Sequence, residues 1–332
     1  MPSLNRVVGR KTPGTVAAVV ALIALLPAVS PALPQLTADP ESAPGDRYKI
    51  SVNVRLVVLP VTVMDRRGEF VPGLSEQNFQ IIDDGRPQPI SLFERGDVPV
   101  TVGLVVDNSG SMGPKRPGVV AASLAFVHSS SPGDQMFVVN ISGRVSLGLP
   151  ASMPFTNDPS LLREALVKQP PHGNTALYDG VAEGLEHLQV GTGDRKALIV
   201  VTDGGDNASR ITLPRLVELA ERANAAIYTI GILDQTYSDE NPAVLRQLAK
   251  ATGGQAYFPS SAAQVADVAE QIARTLREQY TLGYVPPEAG ARASYHPIRV
   301  NVRAAGEGKL RVRTRAGYRI APEPPPAPSQ GK

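Results

Sequence analysis

Apolar and polar positions change their spacing repeatedly along the chain, and each change marks a different kind of element. Thr15 to Leu26 is a nearly unbroken apolar run, preceded by Arg6, Arg10 and Lys11 and followed by Pro27 and small residues through Ala38. This is the layout of a secretory signal peptide over residues 1–38. The run falls short of the roughly 20 apolar residues that a spanning helix needs, so an uncleaved N-terminal anchor is the alternative reading. Residues 39–47, rich in Pro, Asp, Glu and Gly, read as a linker. From 48 to 97 the pattern turns to strands. Ile50 to Arg55 alternates and Leu56 to Met64 is β-branched and apolar, while Phe79 to Ile82 and Ile90 to Phe93 are further short runs. Asp65-Arg66-Arg67-Gly68 and Asp83-Asp84-Gly85-Arg86 are turn sequences between such runs. Pro60 and Pro89 predict edges or strand ends.

Residues 98–279 alternate buried-type runs with helical periods. Val102 to Val106, Gln135 to Ser142, Lys196 to Thr202, Ala226 to Ile232 and Gln255 to Phe258 read as strands. Pro117 to Ser130, Ser160 to Lys168, Thr175 to Leu188, Leu213 to Asn224, Pro242 to Ala251 and Ala262 to Gln279 read as helices, the fifth stopped by Gly253-Gly254. Runs without polar alternation are those of strands covered on both faces, which predicts a doubly wound, mainly parallel sheet. Strands return over 280–321: Tyr280 to Val285, Tyr295 to Arg303 and Leu310 to Ile320, with Ile298, Val300 and Val302 on one face and Arg299, Asn301 and Arg303 on the other. The strand-rich flanks can complete one another, so the α/β unit is expected to be inserted into a β-sandwich built from N- and C-terminal strands. Residues 322–332 are Pro-rich and read as disordered.

Composition narrows the chemistry. The 332 residues are 42% hydrophobic and 19% charged with a net charge of +2, ordinary for a globular protein of more than one domain. There is no Cys, which excludes disulfides, thiolate zinc sites and Cys catalysis, and leaves no cysteine for a lipid anchor.

The site chemistry is concentrated where apolar runs end. Gly103 to Val106 stops at Asp107-Asn108-Ser109-Gly110-Ser111, a second run stops at Thr202-Asp203-Gly204, and Thr175 stands at a helix start. Asp107, Ser109, Ser111, Thr175 and Asp203 offer only oxygen, which suits a hard cation such as Mg2+. In open α/β sheets ligands sit beyond the carboxyl ends of the strands. The five residues resemble, in kind and order, the metal-ion-dependent adhesion site of the von Willebrand factor type A domain, a resemblance covering about Pro99 to Gln279. It implies a Rossmann-like fold and a metal bound by the two serines, with the Thr and second Asp binding directly or through water. A carboxylate of a protein partner completes the shell. Mg2+ is the expected ion, with Mn2+ and Ca2+ as alternatives. The layout also resembles the VWFA-related proteins named for Acidobacteria, where a strand-rich region precedes the domain and a segment like Tyr280-Thr281-Leu282-Gly283-Tyr284 follows it. In the resembling family the C-terminal helix shifts with affinity; the counterpart here, ending at Gln279, runs directly into the first returning strand, which implies coupling between site and sandwich.

Other classes fit less well. Two carboxylates and a cation suit a metal-dependent hydrolase, yet His128, His172, His187 and His296 are scattered, and neither a nucleophile elbow nor a Walker-type loop is present. A structural envelope protein with a stabilising metal is the other alternative. Arg299, Arg303, Lys309, Arg311, Arg313, Arg315 and Arg319 form a basic cluster, read as a solvated outer face, and no aromatic platform accompanies it, so nucleic acid is not expected. Asn108, Asp206 and Asn207 lie near the predicted crevice and read as solvated loop residues, with contact to a partner or to a water around the ion as the alternative. The expectation is an exported, non-enzymatic binding protein of the periplasm, cell envelope or extracellular space, with a protein ligand bearing an exposed Asp or Glu.

Overall fold

The structure is a computed structural model that describes residues 56–233, 240–287, 295–304, 306 and 308–319. The signal-peptide, linker and tail readings, and the strand reading over 48–55, lie outside the described residues.

Four short strands come first: β1 (Val57–Met64), β2 (Phe79–Asp83), β3 (Arg86–Gln88) and β4 (Leu92–Glu94). The α/β unit follows as β5 (Val100–Asp107), α1 (Arg116–His128), β6 (Gln135–Ile141), β7 (Val145–Leu147), α2 (Pro159–Val167), α3 (Leu177–His187), β8 (Arg195–Thr202), α4 (Leu213–Arg222), β9 (Ala226–Gly231), α5 (Pro242–Thr252), β10 (Ala256–Tyr257) and α6 (Ala262–Glu278). Then come β11 (Tyr280–Tyr284), β12 (Tyr295–Val302), β13 (Arg311–Arg313) and β14 (Gly317–Arg319).

The central sheet has the order β10-β9-β8-β5-β6-β7, parallel except for β7, which folds back antiparallel on β6. Every residue of β5 is buried, as an unbroken apolar run between two helical layers requires. The order reverses between β5 and β8, so the loops after these strands open on the crevice between them. Gly103 in β5 is packed so closely against Phe137 and Leu198 that a Cβ has no room there.

The flanking strands form two four-stranded sheets, β13-β1-β11-β4 and β14-β12-β2-β3. Each sheet mixes strands from before and after the α/β unit, and their buried faces share one core of Leu59, Val61, Val63, Ile81, Tyr280, Leu282, Tyr284 and Val300, among others. This is the expected sandwich. The α/β unit is inserted between β4 and β11, which are antiparallel neighbours paired through Phe93 and Leu282. Pro60 sits where β1 has β11 on one side, while β13 pairs only from Thr62 onward, so its missing N–H breaks no ladder bond.

One strand is read differently from the sequence. Leu310 to Ile320 is not continuous: β13 pairs with β1 in one sheet and β14 with β12 in the other. The crossing is made at Arg315, which is buried and donates to the carbonyl oxygens of Gly317 and, at 3.2 Å, Ala223 beyond the end of α4. Its guanidinium also reaches the Glu221 carbonyl, Arg313 reaches Gln255, and Arg319 pairs with Glu221. Three members of the basic cluster therefore pin the sandwich to the α/β unit, whereas Arg299, Arg303, Lys309 and Arg311 are exposed. Arg195 at the start of β8 donates to the carbonyls of Gly96, Leu276 and Arg277 and to Thr281 Oγ1. A cation there favourably caps the negative end of α6. Among the described residues no helix is long and apolar enough to cross a membrane.

Candidate metal centre

Asp107 is the last residue of β5 and is fully buried. Its Oδ1 accepts from the Ser109 amide at 2.8 Å and its Oδ2 from the Thr202 hydroxyl at 2.6 Å. Burial, opposed by these hydrogen bonds, pushes its carboxyl up to about 6. A buried carboxylate that carries such a penalty is poised to gain from a cation. Ser109 and Ser111 lie in the tight turn after it, with Oγ atoms 3.2 Å apart. Ser111 Oγ donates to Asp203 Oδ2 at 2.8 Å, and Asp203 directly follows β8. Ligands 2.0–2.1 Å from an octahedral Mg2+ stand roughly 3 Å apart along each edge. The Ser109, Ser111 and Asp203 oxygens already have that spacing, and the donor set is all oxygen, so the residues fit a hard divalent ion.

The third loop is docked by backbone bonds. Gly110 N donates to Gly173 O and His172 N to Asn108 O, while the Asn207 and Ala208 amides both donate to Thr175 O. Thr175 is buried at the entry to α3 and its own amide is held by Asn207 Oδ1. All five expected residues are thus carried on three loops at the carboxyl end of the parallel sheet, with Asp107, Ser109, Ser111 and Asp203 in one hydrogen-bonded chain through Thr202 and the serines.

Residues read as solvated loop positions do other work. Asn108 is fully buried and donates to Asn140 Oδ1, tying the loop after β5 to strand β6. Asp206 Oδ1 accepts from the Tyr178 amide and the Ser209 hydroxyl, holding the third loop to the second. Gly204 has φ +88 and lies so near Asn241 that a Cβ would stand 2.5 Å from the Asn241 carbonyl oxygen. A glycine after Asp203 is therefore a steric requirement.

Sequence reading also missed Lys115. Its ammonium lies 3.3 Å from Asp203 Oδ2 and 2.9 Å from Glu240 Oε1, with only 6% of the side chain exposed. Lys115 lies just before α1 in a Gly-Pro stretch without helical periodicity, and no local pattern marks its pairing. Glu240 precedes α5 on a distant part of the chain, and nothing local announces it.

No curated protein sequence matches the chain. Among solved structures, a von Willebrand factor type A protein from Catenulispora acidiphila is 14% identical, with 78% of this chain and 72% of that one covered and a TM-score of 0.49. The vWF domain of the type V pili tip protein Mfa5 from Porphyromonas gingivalis is 15% identical over 54% of this chain and 95% of its own, with a TM-score of 0.46. The PilB minor pilin from Streptococcus sanguinis is also 15% identical, over 57% of this chain and 64% of its own, with a TM-score of 0.42. The pattern of the von Willebrand factor type A domain matches residues 101–271, just over half of the chain, and the protein belongs to that family.

Proposed function

We propose that this is an exported, metal-dependent protein-binding module that captures an acidic side chain of a partner. The observation that carries the reading is the convergence of oxygen donors at the switch point of the sheet: Ser109 Oγ, Ser111 Oγ and Asp203 Oδ2 within 3.2 Å of their neighbours, backed by buried Asp107. Asp107, Ser109, Ser111, Thr175 and Asp203 would hold Mg2+, with Mn2+ and Ca2+ as alternatives. The bound ion supplies a Lewis-acid anchor for an incoming Asp or Glu carboxylate. The chain's own part is to limit competing negative charge. Ser109, Ser111 and Thr175 are neutral, Asp107 is held by Thr202 and the Ser109 amide, and Asp203 shares its charge with Lys115. Few anionic ligands leave an ion with greater pull on the partner's carboxylate. Export is supported by the basic, apolar and small-residue order of residues 1–38, and places the module in the periplasm, cell envelope or outside the cell.

Calorimetric titration with Mg2+ and Mn2+ tests this on the wild type, Asp107→Ala and Ser109→Ala/Ser111→Ala, followed by capture from an acidic peptide library. Saturable binding lost in both variants, with peptide capture dependent on metal, is the expected result. Metal binding without any metal-dependent capture would favour a stabilising metal in a structural protein. A folded wild type that binds no metal would overturn the reading.

A further inference from the structure

A second group of metal-ligating side chains is carried by the sandwich strands rather than by the α/β unit. β2 ends at Asp83 and turns through Asp84 and Gly85, with φ values of 48° and 77°, into β3. β12 runs antiparallel beside β2 with Ile298 opposite Asp83. Side chains two residues apart on a strand share a face, so His296 lies on the same face as Ile298 and diagonal to Asp83. The Asp84 amide donates to Pro297 O at 3.1 Å and fixes the turn against β12. One carboxylate oxygen from each of Asp83 and Asp84 and one ring nitrogen of His296 thus come within 4.8 Å of one another.

A hydrogen bond explains part of this arrangement, since His296 Nδ1 lies 2.7 Å from Asp84 Oδ2. It does not explain Asp83. That residue is only 2% exposed; its Oδ2 accepts from the hydroxyls of Tyr284 at 2.9 Å and Tyr318 at 3.0 Å, while its Oδ1 is buried and has no hydrogen-bond partner among the described residues. A buried carboxylate oxygen left unpaired is costly, and a cation satisfies it. Outer hydrogen bonds that aim a ligating carboxylate are the usual support of a metal site. The His296 ring is also stacked on Tyr318, with centroids 5.0 Å apart. Asp84 is half exposed and leaves a way in from solvent.

We propose that Asp83, Asp84 and His296 form a second divalent-metal site that takes a borderline transition ion of the Zn2+ class. An imidazole nitrogen beside two carboxylates selects Zn2+, Co2+ or Ni2+ over Mg2+, the reverse of the all-oxygen set in the α/β unit. Three protein ligands leave a position for water. The ion would join the β2–β3 turn to β12 and so staple one sheet of the sandwich.

The test is a Co2+ titration of the full chain carrying Asp107→Ala, followed by visible absorption, with thermal unfolding in Zn2+ alongside. The wild type in excess Mg2+ serves in its place should that variant not fold. One equivalent of Co2+ with ligand-field bands is expected, lost in His296→Gln and weakened by on the order of tenfold or more in Asp84→Asn. Because Asp84 is half exposed, its variant tests the site without disturbing the core around Asp83. Zn2+ should raise the unfolding temperature only where His296 is present. No Co2+ bound by the folded protein, or Co2+ bound equally by His296→Gln, would overturn the assignment.

Discussion

Replacing Lys115 with methionine keeps the length of the side chain and removes the ammonium between Asp203 and Glu240. Lys115 and Asp203 are 6% and 1% exposed in their side chains, and Glu240 is 9% exposed, so solvent screens these pairs little. Breaking a buried pair by removing one partner costs about 3–5 kcal/mol, and that is the expected loss of stability in chelator. A divalent cation at the proposed site returns positive charge to Asp203, so the loss in saturating Mg2+ should be smaller. By linkage, the difference between the two losses is the gain in metal binding, about tenfold in affinity for each 1.4 kcal/mol. Urea unfolding with and without Mg2+, set beside calorimetric Mg2+ affinities of both proteins, closes the cycle. Equal losses with and without metal, or weaker Mg2+ binding in the variant, would refute the idea that Lys115 and the ion compete for Asp203.

Gly204→Ala should destabilise by roughly 2–5 kcal/mol, combining a left-handed alanine with overpacking against Asn241; denaturant midpoints check it, and a cost below about 1 kcal/mol would contradict the tight approach. In chelator, Asp107 should make the protein less stable as pH rises. Its folded value near 6 exceeds the ordinary 3.8, so the folded chain holds the proton more tightly. The stabilisation is complete below the unfolded value and is lost as pH climbs through about 6, by up to about 3 kcal/mol at 1.36 kcal/mol per unit. Asp107→Asn should flatten that slope in unfolding measured between about pH 4 and pH 7. Arg195→Gln withdraws a guanidinium from three carbonyls and Thr281. At about 1–3 kcal/mol for each buried acceptor left unpaired, sandwich and α/β unit should melt as two transitions, followed by tyrosine near-ultraviolet and backbone far-ultraviolet dichroism; one sharp transition would show that the junction does not depend on Arg195.

The α/β order was legible because β5 and β8 are apolar runs that stop at carboxylates, and the sandwich because short strand-type runs separated by turn sequences stand on both flanks. The candidate donors Asp107, Ser109, Ser111, Thr175 and Asp203 stand out in the sequence as oxygen-bearing residue types at loop positions. What they are braced by was not: Lys115 lies in a Gly-Pro stretch without periodicity, and its partners Asp203 and Glu240 are brought to it only by the tertiary fold. The sequence from Leu310 to Ile320 keeps a period of two apart from Thr314 and Gly317, and no turn signal marks the change of sheet at Arg315. That change is set by carbonyls at the far end of α4. For the same reason a charge that looked solvated is buried. β3 and β7, at three residues each, are too short to show a period.

The insertion of the α/β unit between β4 and β11 also bears on how the chain folds. Those strands are direct neighbours, yet everything from β5 to α6 separates them in sequence. Pairing them in an unfolded chain means closing a very long loop, whose entropic cost must be met before any contact repays it. The α/β unit has its own core, and once formed it brings its two ends together at Gly96 and Arg277 through Arg195. It then acts as a folding template for the sheet it interrupts. The sandwich should be the last part to form, and substitutions that slow the α/β unit should delay the appearance of a structure they never touch.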